Sequence, residues 1–145
     1  MYSLPTRVYS VSTEVAAPWR RAFDFLQEPL NLGKWALGCR DSRPAGEEGL
    51  YAGTSLFSGE SAFYRLSANE ERRLVDFLVG SPDDLRARIS ARVIAGPVYG
   101  NSDAFCIVTM DAWRDLAMDD ARWHQLCACH ETEILLLKSL IEAGY

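Results

Sequence analysis

The sequence predicts an α+β domain in which a curved antiparallel sheet wraps around one long C-terminal helix, with two short helices inserted after the first strand. Three observations predict it. About seventy residues in the middle of the chain read as strands separated by turn residues, with no helical period among them. The last segment carries an apolar stripe at steps of four and three residues. The strands sort their apolar and charged side chains onto opposite faces, so the sheet needs a cover on one side only.

In the N-terminal segment Val8, Ser10 and Ser12 alternate with Tyr9, Val11 and Thr13, the period of a strand over 7–13. Ala17-Pro18 opens the next element, with proline at the first helical position, where the missing N–H is no loss. Trp19, Ala22, Phe23 and Leu26 then share one helical face. Pro29 ends that helix and begins a second short one through Leu30, Leu32 and Trp35, which stops near Gly38.

Turn chemistry gives a register for the strands beyond Leu50. Gly59-Glu60 suits a two-residue turn with glycine first and pairs Phe57 with Ala62, Ser55 with Tyr64 and Gly53 with Leu66. Asn69-Glu70 as the next turn pairs Leu66 with Arg73 and Tyr64 with Val75. A loop at 80–84 pairs Phe77 with Ala87 and Val75 with Ile89, and sets Asp76 opposite Arg88. A loop at 96–103 leads to a last strand that pairs Val93 with Cys106 and Ala91 with Val108. These turns agree on an apolar face that includes Tyr51, Phe57, Tyr64, Val75, Phe77 and Met110. The opposite face collects Arg65, Asp76, Arg86, Arg88, Arg92 and Asp111. A slip of one residue would mix the two sets.

The terminal helix begins near Asp119, whose carboxylate suits the positive end of the helix, and ends at Gly144. Trp123, Cys127, His130, Ile134, Leu137 and Ile141 form its apolar stripe, about 30 Å long at 1.5 Å per residue. Laid across the oily face of the sheet, that stripe encloses a cavity.

Composition narrows the functional classes. The chain has 145 residues, 48% hydrophobic and 24% charged, with no repeat or linker, which reads as a single domain over 1–145. A formal net charge of -5 gives no basic footprint for nucleic acid. No apolar run approaches the ~20 residues of a membrane span. Residues 1–7 lack the apolar core of a signal peptide, so the expected location is cytoplasmic, with Cys39, Cys106, Cys127 and Cys129 as reduced thiols. Phosphate loops, nucleophile elbows and metalloprotease helices are absent from the sequence.

Two stretches carry a resemblance. Ser12-Thr13-Glu14-Val15-Ala16-Ala17-Pro18 leads into the first helix, and Glu28-Pro29-Leu30-Asn31-Leu32-Gly33-Lys34-Trp35 forms the second. In this order they resemble the START-like polyketide cyclase (SRPBCC, helix-grip) superfamily. The resemblance covers the whole chain in element order, while its motifs lie within the first 35 positions. It implies a long last helix that plugs a curved sheet around a hydrophobic cavity, with the second helix bordering the opening. Members include lipid and sterol carriers, aromatic polyketide cyclases and chaperone activators, so the fold alone does not select among these functions.

His130 is the polar residue of the sheet-facing stripe: either a buried neutral histidine with a hydrogen-bond partner, or a cavity group that orients a ligand or moves a proton. Tyr64, in the middle of the oily face, is the second handle, with Ser55 as its expected cross-strand neighbour. Trp35 and Tyr51 are placed near the mouth, where they pack or stack on a flat ligand. Phe57, Phe77, Met110, Trp123, Cys127 and Ile134 complete the expected ligand-binding surface. His124, Cys127, Cys129 and His130 do not make a metal site on spacing, because Cys129 points about 160° away from Cys127 on a helix. No metal and no cofactor are expected.

The reading reached is a binding protein for a small hydrophobic molecule, aromatic, polyketide or lipid-like. The first alternative is a polyketide cyclase, aromatase or dehydratase-like enzyme using the same cavity, with His130 and Tyr64 as catalytic acid and base. The second is a chaperone-activator-like interaction module acting through the arginine-rich outer face. A homodimer is left open, and neither nucleic acid nor a membrane span is expected.

Overall fold

The computed structural model describes residues 7–144. Strand β1 (Val8–Val15) leads to helix α1 (Trp19–Gln27), a 3-10 turn at Pro29–Asn31 and the one-turn helix α2 (Leu32–Trp35). Strands β2 (Arg40–Pro44), β3 (Tyr51–Thr54), β4 (Ser61–Asn69), β5 (Leu74–Ser81), β6 (Asp84–Ala95) and β7 (Cys106–Trp113) follow, and helix α3 (Asp120–Ala143) closes the chain. The strands form one antiparallel sheet in the order β1-β7-β6-β5-β4-β3-β2. The first two strands therefore lie at opposite edges, and the segment between them must cross from one edge to the other. That crossing holds α1, which packs against β4 to β7, and α2, which packs on β2. This is the helix-grip arrangement that the resemblance implied.

Local chemistry fixes the ends of α3. The Asp119 carboxylate accepts from the Arg122 N–H at 2.8 Å, and Gly144 adopts φ 85°, so that its N–H reaches back to the carbonyls of Leu140 and Ile141. The helix is held to the start of the chain by its last turns. Glu142 accepts from the Ala16 N–H at 2.8 Å, and the Arg21 Nε donates to the Ile141 carbonyl at 2.8 Å. All six residues of the expected stripe, from Trp123 to Ile141, are buried. Toward its C-terminal end the stripe enters the main core, where Ile134, Leu137 and Ile141 meet Val15, Phe23, Leu26, Val93 and Val108.

The register differs from the expected one, and in a consistent way. Gly53 pairs with Ala62 rather than Leu66, and Leu66 with Phe77 rather than Arg73, each a slide of four residues. Val75 pairs with Ala91 and Val93 with Val108, each a slide of two. The cause is loop length. The β3–β4 connection uses Ser55 to Glu60, and the β4–β5 turn uses Glu70 to Arg73, with Arg73 at φ 54°. Even slides keep every side chain on its original face. Phe57 is the exception: it lies in the β3–β4 loop, not on a strand, and is 53% exposed. Ser55 is likewise a loop residue, and the strand partner of Tyr64 across β3 is Tyr51.

The start of β6 does change face: Ala87 lies opposite Leu78 on the outer side, and Arg86 opposite Val79 on the inner side. Along β5 and β6, Phe77 pairs with Ile89 but the next pair is Leu78 with Ala87, leaving Arg88 as the extra residue of a β-bulge. Asp76 faces Ser90, not Arg88. The bulge takes Arg88 off the outer charged row and turns it toward α3. Strand β2 was not expected either. Its sequence, Arg-Asp-Ser-Arg-Pro, has no apolar alternation, and it pairs irregularly with β3 at the sheet edge, where proline is tolerated.

At the β6–β7 connection, a Cβ on Gly96 would lie 1.9 Å from the Ser102 carbonyl oxygen and 2.8 Å from that of Phe105. Both are backbone atoms that cannot rotate away. Gly96→Ala is expected to cost about 2 kcal/mol by overpacking, read as a lower urea midpoint. Gly38→Ala, where a Cβ meets nothing within 4 Å, is the matched control.

Candidate functional site

The sheet and the N-terminal half of α3 do not pack solid against each other. Between them lies a cavity of about 570 Å³. Its floor is the apolar face of the sheet, with Tyr64, Phe77 and Ile89. Leu32, Trp35 and Cys39 come from α2 and the segment after it. The β3–β4 loop supplies Ser55, Phe57 and Glu60 at the opening. Helix α3 contributes Arg122, Leu126, Cys129, His130 and Glu133. A wider depression of about 740 Å³ runs along the outside of α1 past Arg20 and Asp24, but it is an open surface groove.

Of the residues expected to meet a ligand, Trp35, Ser55, Phe57, Tyr64, Phe77 and His130 line this cavity. Tyr51 stacks behind Tyr64, ring centroids 5.7 Å apart. Met110, Trp123, Cys127 and Ile134 are buried and are not part of the cavity wall. Trp35 and Phe77 meet edge-on at 5.8 Å, which holds both rings in place. Ser55 is occupied locally, its Oγ accepting from the N–H of Phe57 at 3.1 Å and of Ser58 at 3.3 Å.

The Tyr64 hydroxyl is committed as well. It donates to the Pro29 carbonyl at 2.7 Å, and burial pushes its pKa up to about 12. That bond ties the middle of the sheet to the turn before α2 and uses the proton a catalytic tyrosine would give. Cys39 and Cys129 are each raised to about 11, mainly by burial, so both stay thiols at neutral pH and are weak nucleophiles. Among the described residues no three His, Cys, Asp or Glu side chains converge as a metal site requires.

The titratable chemistry sits on α3. His130 and Glu133, one turn apart, are both 5% exposed, and Nδ1 of His130 lies 3.2 Å from Oε1 of Glu133. The two are close but not aligned, since Nδ1 makes no hydrogen bond. The other carboxyl oxygen of Glu133 accepts from the Leu37 N–H at 2.8 Å. Burial, with a smaller push from the positive charge of Arg88, lowers His130 to about 4. Burial raises Glu133 to about 7. Each is shifted toward its uncharged form, so from about pH 4 to about 7 the carboxyl holds its proton while the imidazole stays neutral.

Sequence reasoning missed Glu133 and Arg88. Glu133 had a legible signal, since it stands at i+3 from His130 and beside Ile134 on the buried stripe. Arg88 had none, because only the bulge carries it across the sheet.

No family model matches the chain, and no curated protein matches it. Solved structures do. The protein XoxI from Bacillus cereus is similar at a TM-score of 0.70 and 11% identity, over 92% of this chain and 94% of that one. A START superfamily protein from Mycobacterium smegmatis is similar at a TM-score of 0.61 and 10% identity, over 94% and 95%. The di-domain ARO/CYC protein BexL of the BE-7585A biosynthetic pathway is similar at a TM-score of 0.66 and 19% identity, over 94% of this chain and 47% of BexL. At these identities the likeness concerns architecture. The chain has the START-like helix-grip fold that the START protein and the aromatase/cyclase domains share.

Proposed function

We propose that the protein binds a small, largely apolar molecule, aromatic, polyketide or lipid-like, between the sheet and α3. The observation that carries this reading is the cavity of about 570 Å³, a size typical of small-molecule sites. Its walls include the rings of Trp35 and Phe77 and the aliphatic side chains of Leu32, Ile89 and Leu126. Burying ligand surface there supplies ~25 cal/mol per Å² of driving force. The solved neighbours of START and ARO/CYC type support the reading at the level of fold.

A second reading, a cyclase or dehydratase-like enzyme, is favoured by one observation: an imidazole and a carboxyl lie side by side in the cavity wall, 3.2 Å apart, with burial shifting each toward its uncharged form. In that reading His130 is the base, and Glu133, rather than the committed Tyr64 hydroxyl, is the acid. The interaction-module reading has less support. Arg65 pairs with Glu47, and the bulge takes both Arg86 and Arg88 off the outer face.

Nile red, a neutral apolar dye, is the direct test. It is expected to bind with a blue-shifted emission, and Ala62→Trp, which places an indole in the cavity wall, should weaken binding at least tenfold with little change in Tm. Unchanged dye binding in a folded Ala62→Trp variant would overturn the reading.

A further inference from the structure

The cavity contains a cation without a counterion. The Nε and Nη2 of Arg88 are both buried, and neither has a hydrogen-bond partner. Among the described residues Arg88 makes no salt bridge; Asp115 acts on it only as the one favourable charge, against the opposing charges of Arg122 and Arg86. These two nitrogens lie on the same edge of the planar guanidinium, so their N–H groups run side by side. That edge matches the spacing of the two oxygens of a carboxylate. His130 Nδ1, in the same cavity wall, is also buried without a hydrogen bond.

Leaving a buried guanidinium unpaired is expensive, because the lost hydration is not replaced. A chain that merely needed a filled cavity would gain from an apolar residue here. The bulge in β6 is what brings Arg88 inward, and bulges commonly re-aim a side chain at a functional site. Glu133 does not serve as the counterion: neither Nε nor Nη2 of Arg88 has a hydrogen-bond partner, and the Glu133 carboxyl turns to the Leu37 N–H at 2.8 Å and to the His130 side. One fixed positive charge, with a second arginine, Arg122, only at the rim, suits a single negative charge better than a phosphate dianion.

We propose that the natural ligand is an apolar monocarboxylate, an aromatic or aliphatic acid whose carboxylate docks on the Nε–Nη2 edge of Arg88 while its body lies against Trp35 and Phe77. The inference deepens the small-molecule reading above and rests on it. The acid binds as its anion and its apolar part fills the space toward the β3–β4 loop. Neutral molecules of the same shape bind less well, because they bury the guanidinium without pairing it.

The experiment compares 2-naphthoate with methyl 2-naphthoate in displacing Nile red at pH 7.5. The parent protein is expected to bind the acid at least tenfold more tightly than the ester. Arg88→Gln should remove that preference while retaining ester binding, and Arg88→Lys should keep part of it. If the ester binds as tightly as the acid, or if folded Arg88→Gln keeps the preference, the carboxylate inference is overturned and the apolar cavity survives. If neither compound displaces the dye and the dye itself does not bind, the cavity reading falls and this inference with it. Should Arg88→Gln fail to fold, the acid-to-ester ratio of the parent protein alone decides.

Discussion

Leu137→Ala is expected to destabilise the protein by about 3 kcal/mol, whereas Leu135→Ala, two positions away on the same helix, should change stability by less than about 0.5 kcal/mol. Leu137 is fully buried in the cluster that joins α3 to β1, α1 and the sheet. Truncating it removes apolar contact and leaves a void that close-packed neighbours can only partly fill. Leu135 is 59% exposed and loses little on truncation. Urea unfolding of the two variants measures both numbers. Equal effects would mean that α3 does not press this face against the sheet. The same pair separates two faces of the C-terminal half of α3, the core face that carries Leu137 and the solvent face that carries Leu135.

The second large effect is a pH dependence that the parent protein conceals. Glu133 is raised from 4.5 to about 7 and His130 is lowered from 6.5 to about 4, both chiefly by burial. Between pH 4.5 and 7 the folded chain holds a proton on Glu133 that the unfolded chain has released, so this group's contribution is full below pH 4.5 and is lost as pH rises. Between pH 4 and 6.5 the unfolded chain holds a proton on His130 that the folded chain excludes, so that contribution is present above pH 6.5 and lost as pH falls. At about 1.4 kcal/mol per pKa unit each amounts to about 3 kcal/mol, with opposite sign. From pH 4.5 to 6.5 they cancel. Glu133→Gln should therefore gain about 3 kcal/mol relative to the parent as pH rises from 4.5 to 7 and exceed it in stability at pH 8. His130→Gln should gain a similar amount relative to the parent as pH falls from 6.5 to 4. Equilibrium unfolding across this range checks both. A Glu133→Gln variant that is less stable than the parent at pH 8 would show that the pair is instead a charged His–Glu bridge.

Much of the architecture was legible because it depends on period and parity. The stripe from Trp123 to Ile141 follows from helical spacing, and its ends follow from the Asp119 cap and the Gly144 left-handed turn. The faces of the sheet were legible for a subtler reason. The turn lengths were misjudged, yet away from the β6 bulge the resulting slides were of two or four residues, and strand side chains repeat with a period of two. The turns themselves were less legible: Gly59-Glu60 sits inside a longer loop closed by the Gly59 N–H on the Ser55 carbonyl, and Asn69 still belongs to β4, so the next turn is the four residues from Glu70 to Arg73.

The site was harder to read for related reasons. A bulge breaks parity, so the alternation that places Arg92 outside misplaces both Arg88 and Arg86, the latter pairing with Val79 on the inner face. Phe57 alternates correctly with its neighbours but belongs to a loop. Glu133 reads as a solvent-facing charge on composition alone, and only the neighbouring Leu37 N–H and the buried His130 show that it faces inward. Trp123 and Cys127 were assigned to the cavity because stripe position tells which way a side chain points, not whether space or another side chain meets it.

In the proposed binding mode an apolar guest enters the gap between α3 and the β4–β6 part of the sheet. A two-dimensional amide and indole NMR titration with naphthalene tests it at residue level. The largest shifts are expected on the Trp35 indole and on the amides of Phe77, Ile89, Leu126 and His130, with the surface groove near Arg20 and Asp24 unaffected. Shifts confined to that outer groove, or none at concentrations where naphthalene is soluble, would contradict it.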